Sequence, residues 1–221
     1  MGDYWRVLSN NLPDYLSGFL TTCQVVGAAF LIAMVVGVTV GALRAAPSTF
    51  LNRIGFIYVE FFRNIPLLVL IYLVYDGINR AGIISLDRFI AGAACLGLYT
   101  AAYVAESIRS GVFAVGQGQV EAGLSLGFTQ REVLTKIVLP QAIRTVIPPI
   151  GNLVIAMTKN SAILGGSLLA INDLLLRTRQ IYASNFKLYQ TFLWATIGYL
   201  IITITMTVIV RKLETRLAIR R

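Results

Sequence analysis

The sequence predicts an all-α integral membrane protein with five transmembrane helices. Of its 221 residues, 57% are hydrophobic and only 13% are charged, and the mean hydropathy is +0.74. Soluble domains carry about 25% charged residues and are less apolar. The long uncharged runs are also sufficient to cross a hydrocarbon core of about 30 Å. Because no Pro- or Ser-rich linker interrupts the chain, we treat residues 1–221 as a single transmembrane domain.

The positions of the charged residues define the spans. We place them at residues 15–43, 54–77, 88–108, 143–165 and 188–211. The first, third and fifth contain long uncharged runs, whereas the second carries Glu60 and Arg63 near its start. The fourth contains Pro148, Pro149 and Gly151, and we expect its helix to be broken there. Residues 1–14 form a short amphipathic or irregular lead.

The distribution of basic residues predicts the orientation of the chain. An odd number of spans places the termini on opposite sides of the membrane. The strongest basic cluster is C-terminal and comprises Arg211, Lys212, Arg216, Arg220 and Arg221. Because Lys and Arg concentrate in cytoplasmic segments, we place the C-terminus in the cytoplasm and the N-terminus outside. This orientation accounts for the net charge of +9, so we expect no nucleic-acid partner.

Residues 110–140 form a polar segment that this orientation places in the cytoplasm. Gly127 is suited to the left-handed conformation that ends a helix. Thr129 and Glu132 have the spacing of a capping box that opens another helix, and Pro140 is expected to end or kink it. The segment is therefore predicted to be a helix, a sharp bend and a second helix. This geometry suits a coupling helix that transmits movement from a partner, although ordinary loops carry the same signals.

The residue inventory excludes several kinds of chemistry. The chain has no His and only two Cys, Cys23 and Cys95, which lie in apolar runs and are expected to be buried free thiols. The usual zinc sites and His-based triads are therefore excluded. The chain also lacks a G-x-x-x-x-G-K-[ST] phosphate loop. We expect a non-enzyme without a cofactor of its own.

The charged residues inside the spans have a structural and a functional interpretation. Such charges cost about 2.5–3.5 kcal/mol at the centre of a helix on insertion scales. Glu60 with Arg63 and Glu106 with Arg109 are three residues apart, so each pair can form an ion pair on one helix face. Lys159 has no acidic residue within four positions. It can snorkel to the outer headgroups, or pair with Glu60 or Glu106 from another helix.

In the functional interpretation, Lys159 lines a cavity near the middle of the membrane and meets a substrate carboxylate. Asn160 and Ser161 follow it and can add hydrogen bonds, beside the expected helix break. The small residues Gly37 and Gly41 permit close approach of another helix, either from this chain or from a second copy.

Four stretches resemble motifs of one family. In the cytoplasmic segment the matching residues are Glu121, Ala122, Gly123, Gly127, Ile137, Leu139 and Pro140. Residues 60–69, with Arg63, Asn64 and Pro66, are similar to a second-span motif. Residues 99–111, with Glu106, are similar to a third-span motif, and residues 159–162 to an element after the fourth span. Together they resemble permease subunits of polar amino acid ABC importers. Gly123 stands where Ala is common in that family.

This resemblance implies a type I ABC importer permease fold in a bacterial inner membrane. It implies docking of ABC ATPase subunits, which bind ATP and Mg²⁺, on the coupling residues. It also implies an extracytoplasmic solute-binding protein, a second permease in a homo- or heterodimer, and an amino acid substrate of the glutamate/aspartate type. The substrate-pathway candidates are Arg63, Asn64, Pro66, Glu106, Lys159, Asn160 and Ser161. A self-sufficient secondary carrier or channel is the alternative, and an intramembrane enzyme fits less well.

Overall fold

The computed structural model describes residues 2–82 and 84–217, which form helices and no strand. Four helical stretches are long and apolar enough to cross a membrane: Gly2–Ala45, Arg88–Phe113, Gln130–Gly166 and Leu188–Arg216. A fifth span results if the broken pair Thr49–Asn64 and Leu67–Arg80 is counted as one. We call the helices α1 (Gly2–Ala45), α2 (Thr49–Asn64), α3 (Leu67–Ile71), α4 (Ile78–Arg80), α5 (Arg88–Phe113), α6 (Gln117–Ser125), α7 (Gln130–Glu132), α8 (Leu139–Asn160), α9 (Ala162–Gly166), α10 (Leu174–Asn185) and α11 (Leu188–Leu217).

Helix α1 begins well before the predicted span. The lead is neither separate nor irregular, because it is helical from Gly2 and joins the span across a single non-helical residue, Asn11. The kink lies two residues before Pro13, whose ring and missing N–H disturb the preceding turn. Trp194 fixes the lead, since its indole Nε1 donates to the backbone oxygen of Tyr4 at 2.9 Å.

The second predicted span is not one regular helix. Helix α2 stops at Asn64, and α3 begins only after Pro66. Proline disfavours a helical conformation in the residue before it and cannot donate a hydrogen bond, which accounts for this break. A π-helical segment, Tyr72–Gly77, then joins α3 to α4.

The prediction that Pro148, Pro149 and Gly151 break the fourth span is wrong. Helix α8 is continuous from Leu139 to Asn160, and neighbouring helices can satisfy the groups that a proline frees. Gly151 serves packing instead, because a Cβ there would lie 2.2 Å from Cγ1 of Val210. Pro140 does not end the helix either. The π-helical segment Val133–Val138 ends two residues before Pro140. It changes the register of the backbone hydrogen bonds close to the position where proline has no N–H to donate.

The chain forms two compact units and crosses between them after residues 32, 64, 97, 153 and 207. The first unit comprises residues up to 32, 65–97 and 154–207, and Tyr15, Leu174 and Ile181 belong to its core. The second unit comprises residues 33–64, 98–153 and those from 208 onward. Its core contains Val59 and Ala105.

Glycines let α1 approach α5 closely inside the second unit. A Cβ on Gly37 would lie 2.6 Å from Cβ of Val104, and one on Gly41 would lie 2.8 Å from Cβ of Ile108. This pair therefore serves contact within the chain. Both cysteines are free, as predicted, but only Cys95 is buried; Cys23 is exposed.

Candidate functional site

A cavity with several polar side chains in its lining lies in the second unit between α2, α5 and α8. Its volume is about 440 Å³, within the range of small-molecule sites. Its polar lining residues are Arg63, Tyr103, Glu106, Ser107, Ser110 and Thr145. Four of them lie on α5 at positions i, i+3, i+4 and i+7, which is the spacing of one helix face. The local sequence of α5 therefore directs a polar stripe at the cavity.

Glu106 is held by arginines on both of its carboxylate oxygens. Nη2 of Arg44 lies 3.0 Å from Oε2, and Nε of Arg109 lies 2.9 Å from Oε1. The predicted Glu106–Arg109 pair is thus present, and Arg44 of α1 joins it. Arg44 is only 8% exposed. Sequence reasoning missed this role because Arg44 simply follows an uncharged run.

The predicted pair of Glu60 and Arg63 does not form. Glu60 accepts from Nδ2 of Asn64 at 3.1 Å. The guanidinium of Arg63 instead lies over the ring of Tyr103, 5.5 Å from its centroid. Within the part of the chain that the structure describes, Arg63 has no acidic partner. Its positive charge therefore borders the cavity without a protein counter-ion.

Two cavity hydroxyls are already committed as donors. Oγ of Ser107 donates to the backbone oxygen of Tyr103 at 2.9 Å, and Oγ1 of Thr145 donates to that of Gln141 at 3.0 Å. Their remaining lone pairs can only accept. The cavity thus combines a cationic donor, Arg63, with hydroxyl acceptors. This combination matches a small molecule that carries both a carboxylate and an N–H group.

Lys159, Asn160 and Ser161 lie in the first unit, at the point where the helix is interrupted. Lys159 is exposed and forms no ion pair with a described residue, so the suggested pairing with Glu60 or Glu106 is absent. Asn160 is half-buried. Ser161 is fully buried, and its hydroxyl donates to the backbone oxygen of Thr158 at 2.7 Å. The side chain of Ser161 is therefore not open to a ligand.

The predicted bend and capping box of residues 110–140 are confirmed. Gly127 ends α6 with φ +87°, a conformation that side-chain-bearing residues rarely adopt. Thr129 accepts from the backbone N of Glu132 at 3.3 Å, while the Glu132 carboxylate accepts from the backbone N of Thr129 at 3.1 Å. Lys136 adds an ion pair to Glu132 at 2.8 Å.

The motif residues of this segment divide into packed and exposed positions. Gly123 is buried, and a Cβ there would lie 2.7 Å from Cδ1 of Ile137. Ile137 is half-buried. These two residues therefore pack α6 against the π-helical segment Val133–Val138. The exposed motif residues are Glu121, Ala122, Gly127, Leu139 and Pro140. Leu126, next to them, is 78% exposed. The segment therefore presents a polar and apolar surface on a rigid base.

Long apolar helices, a cavity that contains polar side chains and a rigid exposed helix pair are the features of a membrane subunit that transports a solute. The chain belongs to the family described as binding-protein-dependent transport system inner membrane component, which matches residues 25–219.

Individual relatives agree with this assignment. The chain is 39% identical over 211 residues to the probable glutamine ABC transporter permease protein GlnM of Bacillus subtilis, covering 96% of each. It is 31% identical to the glutamate/aspartate import permease protein GltJ of Escherichia coli K12, covering 90% of this chain and 86% of that one. A crystal structure of an amino acid ABC transporter with histidines matches with a TM-score of 0.87 and 29% identity, covering 95% of this chain and 96% of that one.

The protein is thus the permease subunit of an ABC importer for amino acids and a multi-pass inner-membrane protein. The all-α type I importer fold expected from the sequence is confirmed. Its family works with an ABC ATPase and a substrate-binding protein, and its members are transport components without catalytic activity of their own.

Replacing Glu106 with Gln should lower the free energy of unfolding by about 1–3 kcal/mol, because a neutral amide cannot balance two guanidinium groups, one of them buried. Denaturant titration of the purified permease in micelles measures this difference. Glu121→Gln is the matched control, since Glu121 is exposed and has no ion pair with a described residue. Equal stability of the two variants would show that the arginines do not depend on Glu106.

Proposed function

We propose that this chain is one of two permease subunits that import a polar amino acid of the glutamate, aspartate or glutamine type. The supporting observation is the cavity beside Arg63, whose guanidinium has no acidic partner among the described residues. Arg44 and Arg109 share the single carboxylate of Glu106, and Arg63 has no acidic partner among the described residues, so these three arginines leave two positive charges uncompensated. An anionic or neutral amino acid is favoured there over a cationic one.

The substrate pathway also includes the Lys159 segment. Lys159 carries an exposed charge without an acidic partner in the described part of the chain, so a substrate carboxylate can pair with it. Asn160 supplies hydrogen bonds. Ser161 contributes the helix interruption rather than a ligand contact, because its hydroxyl is committed to Thr158. Asn64 and Pro66 define the end of α2 and thereby the position of Arg63.

The α6–α7 segment is the proposed docking site for the ATPase, which binds ATP and Mg²⁺ on its own chain. Gly127 and the capping box make the segment rigid, and a rigid element transmits a displacement better than a loose loop. Its exposed motif residues are free for a partner. The C-terminus is proposed to be cytoplasmic and the N-terminus extracytoplasmic, which agrees with the distribution of Lys and Arg. Substrate arrives from a solute-binding protein on the outer side.

Changes in the coupling segment should separate ATPase docking from membrane insertion. Gly127→Val should weaken co-purification of the ATPase, because a β-branched residue at positive φ costs about 1–2 kcal/mol or distorts the bend. Glu121→Lys should weaken it by reversing an exposed charge. Gly127→Asn is the matched control, since Asn tolerates the left-handed conformation. Wild-type co-purification and transport in both test variants would refute the docking assignment.

Replacing either unpaired cation should weaken uptake without weakening assembly. Arg63→Gln and Lys159→Met each remove a positive charge that has no acidic partner among the described residues. Neither substitution therefore deprives a described carboxylate of its ion-pair partner. Loss of a charge-assisted bond to the substrate, about 1.5–3 kcal/mol, corresponds to roughly ten- to hundred-fold weaker interaction at that step. ATP-dependent uptake of labelled glutamate, glutamine and arginine into proteoliposomes measures the effect.

The matched control for these variants is Lys212→Met, an exposed cation on α11. Basal ATP hydrolysis and complex yield should equal those of the wild type in all three variants. Unchanged uptake in both Arg63→Gln and Lys159→Met would contradict the proposed pathway. Uptake that proceeds without ATP would instead support the secondary carrier.

A further inference from the structure

Asp173 is a buried carboxyl group that none of the motifs includes. It lies in the first unit, between α9 and α10, and is fully buried, with 0% of its surface exposed. As the N-cap of α10, it accepts from the backbone N of Leu176 at 2.8 Å through Oδ1. Its other oxygen, Oδ2, accepts from the backbone N of Gly165 at 3.2 Å. One carboxylate therefore links α9 to α10.

The packing around this link leaves little freedom. A Cβ on Gly165 would lie 1.9 Å from Oδ1 of Asp173, so only glycine permits this approach. The backbone N of Leu174 donates to Oγ1 of Thr22 on α1 at 3.0 Å. Leu164 and Leu174 are almost fully buried. Asp173 is thus fixed by packing on both sides. A change in the number of hydrogen bonds that it can accept therefore affects its bond to Gly165 of α9.

The link lies close to Lys159 along the chain. Only Asn160, Ser161 and three residues of α9 separate Lys159 from Gly165. Ser161 and Leu164 are both fully buried, so this short stretch cannot swing freely. The position of the Gly165 backbone therefore constrains the backbone segment from which the exposed side chain of Lys159 extends.

Among the described residues, no charged side chain forms an ion pair with Asp173. Its own helix contributes Arg177, which instead approaches Asp14 at 3.7 Å. The group facing it from α11 is the buried hydroxyl of Tyr199, α1 supplies Thr22, and α9 has no titratable residue. Burial raises the pKa of Asp173 to about 6, although the backbone donors act in the opposite direction. The carboxyl group of Asp173 therefore changes its charge within the pH range of a mildly acidic exterior.

Protonation of Asp173 has different effects on the stability of the fold and on its hydrogen bonds. The folded pKa of about 6 lies above the ordinary value of 3.8, so the folded state binds this proton more tightly than the unfolded chain does. The stability from Asp173 is fully present below pH 3.8 and is lost as the pH rises to about 6. Acidification to pH 5 therefore does not unfold the protein through Asp173. It does convert one acceptor oxygen into a hydroxyl, which weakens one of the two backbone bonds.

We propose that Asp173 is a positioning residue that holds the Lys159 segment through the backbone of Gly165, and that protonation of Asp173 loosens this hold and weakens uptake. The proposal rests on the proposed function, because it requires Lys159 to meet the substrate. It differs from a purely structural role of a helix cap, which would alter the yield of folded protein but not the pH profile of each assembled transporter.

The test uses the complete transporter in proteoliposomes, with labelled glutamate and glutamine on their binding protein and an external pH from about 5 to 7.5, which brackets the Asp173 pKa of about 6. For the wild type, the KM for the loaded binding protein should rise as the pH falls through about 6. Asp173→Asn mimics the protonated side chain. Its KM at neutral pH should be roughly three- to ten-fold above that of the wild type, since one charge-assisted bond is lost, and should not change further on acidification.

Two further variants control this comparison. Asp87→Asn alters another helix-capping aspartate, which is exposed and accepts from the backbone N of Phe89 at 2.9 Å. It should keep the wild-type pH profile, which would show that losing a capping carboxylate elsewhere in the chain does not remove the pH response. Gly165→Ala displaces the Asp173 carboxylate from the opposite side, so it should reproduce the raised KM at neutral pH without changing any charge.

The double variant Asp173→Asn with Lys159→Met separates the possible failures. If Asp173 acts through Lys159, its substitution adds nothing to the KM of Lys159→Met. If Lys159→Met alone transports normally, the proposed role of Lys159 fails, whatever Asp173 does. If Lys159→Met is impaired but Asp173→Asn keeps the wild-type KM and pH profile per assembled complex, the inference about Asp173 is overturned. A lower yield with an unchanged KM overturns it in the same way.

Discussion

The bridge of Glu106 to two arginines is the interaction on which the second unit depends. In apolar surroundings an unpaired charge is costly, so Arg44, Glu106 and Arg109 constrain one another. Because Arg44 comes from α1 and the other two from α5, the bridge fixes these helices together, and the close contact of Gly37 with Val104 depends on the same approach. The bridge also fully occupies Glu106. Arg63, beside the cavity, consequently has no counter-ion among the described residues, and the proposed transport function uses this property.

Elsewhere in the molecule, too, a polar group has a different role when it is paired than when it is unpaired. Where the chain needs rigidity, backbone groups are paired locally, as in the capping box of Thr129 and Glu132. Where we propose a ligand contact, as at Lys159, the charged side chain has no ion pair with a described residue. Asp173 combines the two situations, because both of its carboxylate oxygens accept hydrogen bonds but no described residue forms an ion pair with it. A paired group contributes structure, whereas a group without a counter-ion can respond to a substrate or to a proton.

The parts that local sequence dictates were predictable, and the parts that depend on tertiary contacts were not. The left-handed Gly127 and its capping box require only neighbouring residues, so the sequence identified them. The predicted helix break at Pro148 was wrong, because α8 is continuous and Gly151 instead allows the close approach of Val210, a tertiary contact that the local sequence does not reveal. The role of Arg44 needed a partner 62 residues away, and no local pattern reports such a contact. Asp173 could have been recognised only as an N-cap, since its burial depends on Gly165.

The most direct test of the account asks whether substrate passes through the cavity beside Arg63. Ser110 lines the cavity and is exposed, so a cysteine placed there, in a chain whose exposed Cys23 is changed to Ser, should react with a hydrophilic thiol reagent. Loaded binding protein and ATP should slow this reaction several-fold in the assembled transporter, while labelling of a cysteine at the exposed Thr215 should not change. Normal uptake with an unaltered labelling rate at position 110 would contradict the account.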